Sequence, residues 1–287
     1  MWISVVIPTW NRRAWVAEAV GSVLAQEEVP GAKLEVWVVD DGSTDHTAEA
    51  LQEQFGQRIS LLRWQENRGV AAARNAGVSA SRGEWIAFLD SDDLWLPAKL
   101  RRQWAFTRER GYRITQTEEL WQRNGKRVNP RAYHRKPDGE LFFPSLDRCL
   151  VSPSAVLLHR TLWEESGGFD EGLPACEDYD LWLRIARRHA VGLCPEPLVI
   201  KRGGHADQLS RRFWGMDRFR LAALLRLLAE GGLSAAQVRA VVETIERKAG
   251  ILANGAEKRG RADEAHRYRL LAELARNYEQ AVAEEAA

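Results

Sequence analysis

Ile3 to Ile7 is an unbroken apolar run, the pattern of a strand buried on both faces, and Pro8 ends it. Beyond it, Val16, Ala19, Val20, Val23 and Leu24 recur at helical spacing and make one apolar stripe. The cycle then repeats. Leu34 to Val39 reads as a second buried strand, and Asp40-Asp41-Gly42-Ser43-Thr44-Asp45 as the turn and N-cap of a helix reaching about Phe55. Ile59 to Trp64 and Trp85 to Leu89 read as strands. Val70 to Ala80 is an Ala-rich helix, and Pro97 opens another that ends near Arg110. This alternation predicts an α/β fold with a largely parallel sheet covered by helices.

From Gly111 to Arg212 the pattern loosens. Strands are expected over Arg113 to Gln122, Ser154 to His159 and Leu198 to Lys201, with a helix over Asp178 to Arg188 and a long loop from Asn124 to Ser145. After Arg212 the residues are helix formers, broken near Gly231-Gly232 and Gly255 to Gly260, which predicts three helices. The expected organisation is therefore two halves of one α/β domain, 1–110 and 111–212, followed by a helical extension, 213–287.

Composition narrows the function classes. The 41 Lys plus Arg nearly cancel the 40 Asp plus Glu, for a formal charge of +1, which argues against a nucleic-acid binder working by bulk positive charge. The apolar fraction is 45%, yet no apolar run approaches the roughly 18 to 20 residues of a membrane span, so a core-forming chain without a transmembrane segment is expected. Met1 to Ser4 enters a strand at once without the features of a secretion signal, which predicts a cytoplasmic protein, either free or peripheral at a membrane. The 3 cysteines, Cys149, Cys176 and Cys194, fit neither a disulfide framework nor a close zinc pair.

The chemistry is expected at the carboxyl ends of the strands, where open α/β sheets bind ligands. Asp40 and Asp41 follow the second strand, and Asp90, Asp92 and Asp93 follow the fourth. Gathered carboxylates repel one another unless protons or a cation intervene, which calls for a hard divalent ion, Mg²⁺ or Mn²⁺, completed by substrate phosphates. Neither a G-x-G-x-x-G turn after the first strand nor a G-x-x-x-x-G-K-[ST] loop occurs, so a bound diphosphate would rely on metal and arginine. Arg74, on a helix of small residues that would admit a ligand closely, is the candidate.

IPTWN at 7 to 11, DDGSTD at 40 to 45, NRGVAAARNAG at 67 to 77, FLDSDD at 88 to 93 and CEDYDLWLR at 176 to 184 resemble, in order, the signatures of family 2 glycosyltransferases. The resemblance covers roughly residues 2 to 212 and leaves the helical extension unmatched. It implies a GT-A fold, a mostly parallel mixed sheet flanked by helices, and an inverting, metal-dependent transfer of a sugar from a nucleotide diphosphate donor. UDP is the expected nucleotide, with GDP and dTDP open. The acceptor would be a hydroxyl of a glycan, a lipid-linked molecule or a small molecule. By the same resemblance Pro8 and Trp10 line the nucleoside pocket, Asp41 meets the base, and Arg74 and Glu177 belong to the nucleotide-sugar site. Asp90 and Asp92 form the D-x-D element, the first nearer ribose and metal, the second ligating the metal. Asp178 matches the general base, and His205 a metal-binding histidine on a loop. The Q-x-x-R-W element of processive synthases is absent, which favours single-sugar transfer.

Structural readings stand beside these. Ser43, Thr44 and Asp45 read best as turn and cap residues, and Asp93 as either a cap or a metal ligand. Glu177, Asp178 and Asp180 can satisfy a helix N-terminus, and Arg74 can pair with a sheet-end acid. Trp10 suits core or a stacking wall, whereas Trp95, Trp104, Trp163 and Trp182 suit packing. A nucleotidyltransferase acting on sugar phosphates and a noncatalytic sugar-nucleotide or glycan-binding protein are the alternatives. The extension could pack on the sheet domain, complete an acceptor site or form a homo-oligomer.

Overall fold

A computed structural model of the chain describes residues 1–129, 135–204 and 213–285. The first apolar run is β1 (Trp2–Thr9), central to a parallel group with β2 (Lys33–Asp40) on one side, β3 (Ser60–Arg63) beyond it, and β4 (Trp85–Phe88) on the other side. Ile3, Val5 and Ile7 face one apolar cluster and Val6 faces the other, so both faces of β1 are covered, as an uninterrupted run requires. The sheet then turns mixed. Antiparallel β8 (Val156–His159) joins β4 to β6 (Ile114–Arg123), and β9 (Gly192–Gly203) lies parallel to β6. Two short strands, β5 (Leu94–Trp95) and β7 (Lys126–Val128), pair antiparallel with β9 and β6. The order is β3-β2-β1-β4-β8-β6-β9-β5, with β7 on β6.

Helices α1 (Arg13–Leu24), α2 (Thr47–Phe55), α3 (Val70–Ala80) and α4 (Lys99–Arg110) fill the crossovers as expected. Asp45 accepts the Thr47 N–H at 3.2 Å as a turn residue ahead of α2, whose N-cap is His46 and carries no side-chain cap bond. The small residues of α3 serve mainly its contact with the sheet: a Cβ on Gly77 would sit 2.4 Å from Val6 Cγ1, and Ala72 and Ala73 are buried. Only Val70, Ala71 and Arg74 of that helix reach the cleft beyond the strand ends, a narrower role than the sequence implied. In the second half, α5 (Phe142–Ser145), α6 (Arg160–Ser166) and α7 (Glu177–Ala186) precede β9.

Strand β9 starts earlier than expected because Pro195 and Pro197 interrupt its pattern without ending it. Prolines cannot donate to a ladder. The register against β6 shifts between Thr117 and Glu119, and the irregularity is absorbed where those prolines fall. Three helices follow, α8 (Asp217–Glu230), α9 (Ala235–Glu257) and α10 (Ala262–Glu285). The apolar cluster that holds Phe88 and Trp182 continues into Leu224 and Leu227 of α8 and Val241 and Ile245 of α9, so the extension shares the main core. No helix among the described residues is long and apolar enough to cross a membrane.

One buried group has no use in the cleft. Lys99 is fully buried; its Nζ lies 3.8 Å from the centroid of the Trp95 ring and 3.4 Å from the Val156 carbonyl. Burial drives its pKa well below the ordinary lysine value. Between the lowered value and the ordinary one, the unfolded chain holds a proton that the folded chain lacks, so stability rises with pH across that window. Lys99→Met is expected to stabilise the fold by about 1–3 kcal/mol. Its denaturation midpoint, followed from neutral to alkaline pH, should rise less steeply than that of the wild type.

Candidate active site

Strand order reverses at β1, whose neighbours β2 and β4 precede and follow different crossovers, and a cleft of about 1260 Å³ opens beyond their carboxyl ends. Pro8, Trp10, Asp41, Arg74, Asp90, Asp92, Glu177 and Asp178 all line it. The structure thus brings together every sequence-predicted site residue except His205, which lies outside the described residues. Parallel registry explains the convergence. Thr9 pairs with Asp40, and Val6 pairs with Phe88, so the polar residues that follow each strand emerge on one edge.

At the end of β1 Pro8 is buried, while Trp10 is 41% exposed and presents a ring to the cleft. Asp41 is 4% exposed, and its two oxygens accept the N–H groups of Arg68 at 2.6 Å and Gly69 at 3.0 Å. It therefore braces the loop into α3. Burial, helped by Asp40, raises its pKa against those two bonds. Gly42 has φ +77° and a Cβ there would meet the Glu66 carbonyl carbon at 2.6 Å, which explains the glycine after the two acids.

At the end of β4 every acid has a cation of the chain beside it. Asp92 pairs with Arg12 at 3.0 Å, Asp90 with Arg74 at 2.6 Å, and Asp93 with Lys201 at 3.0 Å. Mutual repulsion is thus answered within the protein and does not by itself demand a metal. The donor set still fits a hard cation: Asp90, Asp92 and Asp93 bring carboxylate oxygens within 4.8 Å of one another, and the first two face the cleft. Asp93 is already occupied. It is 1% exposed and accepts from Ser154 Oγ at 2.6 Å, Lys201 Nζ at 3.0 Å and the Arg202 N–H at 3.0 Å. Burial pushes it up to about 6, with Lys201 opposing. Its place is under the site, as a structural acid.

Arg74 joins the two halves of the cleft. From α3 it reaches Asp90 with one terminal nitrogen and Glu177, at the start of α7, with the other, each at 2.6 Å. Burial opposes its charge, but Asp90 and Glu177 outweigh burial and raise its pKa. Two of the five N–H donors of its guanidinium are thus engaged by carboxylates. Burial, then Asp178, pushes Glu177 up to about 7 against the pull of Arg74. Asp178 is half-buried in the first turn of α7, where its Oδ1 accepts the Tyr179 N–H at 2.7 Å. The Cys149 thiol approaches its Oδ2 at 3.5 Å and is bonded to the Val151 carbonyl at 3.1 Å. Burial and Asp178 hold that thiol protonated, far above the usual range.

Sequence reasoning missed several residues here. Arg12 was visible only as a basic neighbour of Trp10, and Lys201 as the polar end of an apolar strand. Glu119 and Lys136, an ion pair of 2.9 Å on the far wall, lie in segments without a motif. Phe213, Met216 and Arg220 also line the cleft, so the helical extension contributes to it.

A mixed sheet with an acid-lined cleft at its switch point defines an α/β ligand-binding class. The glycosyl transferase family 2 model matches residues 4–157, more than half of the chain. The chain belongs to this family. An uncharacterized glycosyltransferase of Rickettsia felis is 33% identical over 192 residues, which are 66% of this chain and 31% of that protein, so the chain spans about a third of that relative. Among solved structures, S. aureus TarS 1–349 in complex with UDP-GlcNAc aligns with a TM-score of 0.75 at 19% identity, covering 97% of this chain and 88% of that one. A mannosyltransferase from Pyrobaculum calidifontis in complex with GDP-Man and Mn²⁺ aligns at 0.61 and 18%, covering 95% and 86%. These likenesses establish the GT-A type of fold.

Proposed function

We propose that the protein is an inverting glycosyltransferase that moves a sugar from a nucleotide diphosphate, UDP first, to a hydroxyl acceptor. The observation that carries this reading is the convergence of Asp90, Asp92 and Asp178 on one cleft in a chain of this family. The structural relatives were solved with UDP-GlcNAc and with GDP-Man plus Mn²⁺, which supports a nucleotide-sugar donor and a divalent ion. Residues 1–110 would hold the donor, 111–212 would shape the acceptor side, and 213–287 would close its outer wall.

Asp90 and Asp92 would hold Mn²⁺ or Mg²⁺. When bound, the cation supplies Lewis-acid stabilisation of charge on the departing diphosphate. The chain does the rest. Trp10 offers a face for the base or sugar, and Asp41 fixes the loop that borders the nucleoside. Arg74 keeps Asp90 in place across the cleft from Glu177. Asp178 takes the proton of the acceptor hydroxyl as that oxygen bonds to the anomeric carbon and the diphosphate leaves with its bonding electrons. Base and leaving group on opposite sides of the anomeric carbon give in-line displacement with inversion.

A thermal-shift series with UDP-, GDP- and dTDP-sugars, each with Mn²⁺, tests the donor. A ligand present at about 100 times its Kd stabilises the folded state by about 2.7 kcal/mol. Selective stabilisation by one nucleotide is expected, and no shift with any of them would sink the reading.

A further inference from the structure

A diphosphate brings negative charge into a cleft whose edge is already acidic, and this chain has no glycine-rich cradle to receive it. The cation that sequence reasoning offered, Arg74, has both terminal nitrogens on Asp90 and Glu177. Lys201, at the end of β9, is differently placed. Its Nζ lies 3.0 Å from Asp93 Oδ2 and 3.2 Å from Ser152 Oγ, and 3.7 Å from Asp90 Oδ2, the last beyond hydrogen-bond reach. An ammonium has three N–H donors, so one remains after those two bonds. The side chain is 32% exposed and lines the cleft beside the D-x-D acids.

The support beneath it is rigid. Asp93 is held by Ser154 and by the Arg202 N–H, and Arg202 also reaches the Asp92 carbonyl, so the end of β9 is clamped to the acidic turn. The Asp93 carboxylate, 3.0 Å from Nζ, is the fixed counter-ion of the ammonium. Asp93 thus anchors a cation in the cleft beside Asp90 and Asp92.

We propose that Lys201 is a cationic ligand of the donor's diphosphate, a built-in charge that acts beside the divalent ion. This rests on the nucleotide-diphosphate reading above. Lys201 donates a hydrogen bond to a phosphate oxygen and transfers no proton; as the anomeric C–O bond breaks, the electron pair goes to the diphosphate oxygen and the ammonium stabilises it. The chain should therefore bind a nucleoside diphosphate appreciably without metal.

The test is calorimetric titration of the full chain with UDP, UMP and uridine, in Mn²⁺ and in EDTA, for wild type and Lys201→Gln. Wild type should bind UDP in EDTA, and Lys201→Gln should weaken that binding about tenfold or more, the range of a charge-assisted contact. Its loss in Mn²⁺ should be smaller, and uridine binding should not change. A carboxylate stranded at Asp93 could unfold the variant, so Asp93→Asn with Lys201→Gln is measured in parallel and should show the same loss. Equal UDP affinity in EDTA for wild type and both variants overturns the proposal, as does parallel loss of uridine binding, which would make Lys201 a structural counter-ion only. Wild type that binds uridine and UDP in Mn²⁺ but no UDP in EDTA overturns it while leaving the nucleotide reading intact. Failure of wild type to bind UDP or GDP in any condition overturns both.

Discussion

Asp178→Asn should reduce sugar transfer about 100- to 10,000-fold, the usual worth of a positioned general base. The change keeps the shape of the side chain and removes its capacity to take a proton. The Tyr179 N–H holds one oxygen of the carboxylate at 2.7 Å, so its orientation is set before an acceptor arrives. A base acts only as the transition state forms, so kcat and kcat/KM should fall together while UDP binding stays near wild type. Transfer is read as UDP release in the presence of acceptor, with calorimetry as the binding control. Unchanged turnover would remove Asp178 as the base. A fall in UDP affinity of the same size as the fall in turnover would recast it as a donor ligand.

The strand and helix alternation of the first hundred residues was legible because each buried strand is a short apolar run closed by Pro, Gly or Asp, and parallel pairing needs no more than that. The site positions were legible for the same reason: polar residues that follow such runs fall on one edge. The ends of β9 were not, since Pro195 and Pro197 resemble a loop when the bulge that accommodates them cannot be seen. Helix α6 was missed because seven residues give too little periodicity to read. The cations were the larger omission. Arg74 could be read as a partner for a sheet-end acid, whereas Arg12 and Lys201 approach the other acids from α1's entry and β9, across 108 residues in the case of Lys201 and Asp93. Long-range pairing of that kind leaves no periodic trace, so a sequence shows the anions and conceals what balances them.

Arg74→Met should be the most destabilising single change in the cleft, by about 3–5 kcal/mol, because it strands buried carboxylates rather than deleting a contact between exposed groups. Arg74 is 4% exposed and Glu177 is 4% exposed; Asp90 is more open to the cleft. Against a typical total of about 5–15 kcal/mol the loss is severe. The sign of its pH dependence follows from Glu177. That group already titrates near 7 with Arg74 beside it, so without the guanidinium it binds its proton more tightly still in the folded state. Folded Glu177 then holds a proton that the unfolded chain has released, and stability of the variant rises as pH falls from neutral toward the ordinary glutamate range. Urea denaturation at pH 8 and pH 5.5 should show the deficit of Arg74→Met shrinking at the lower pH. Adding Glu177→Gln should recover part of the loss at pH 8 by replacing the stranded charge with a neutral amide. A deficit independent of pH, untouched by the second substitution, would mean that Arg74 acts through packing on Phe169, whose ring centroid is 5.0 Å from the guanidinium, and that the ion pairs contribute little.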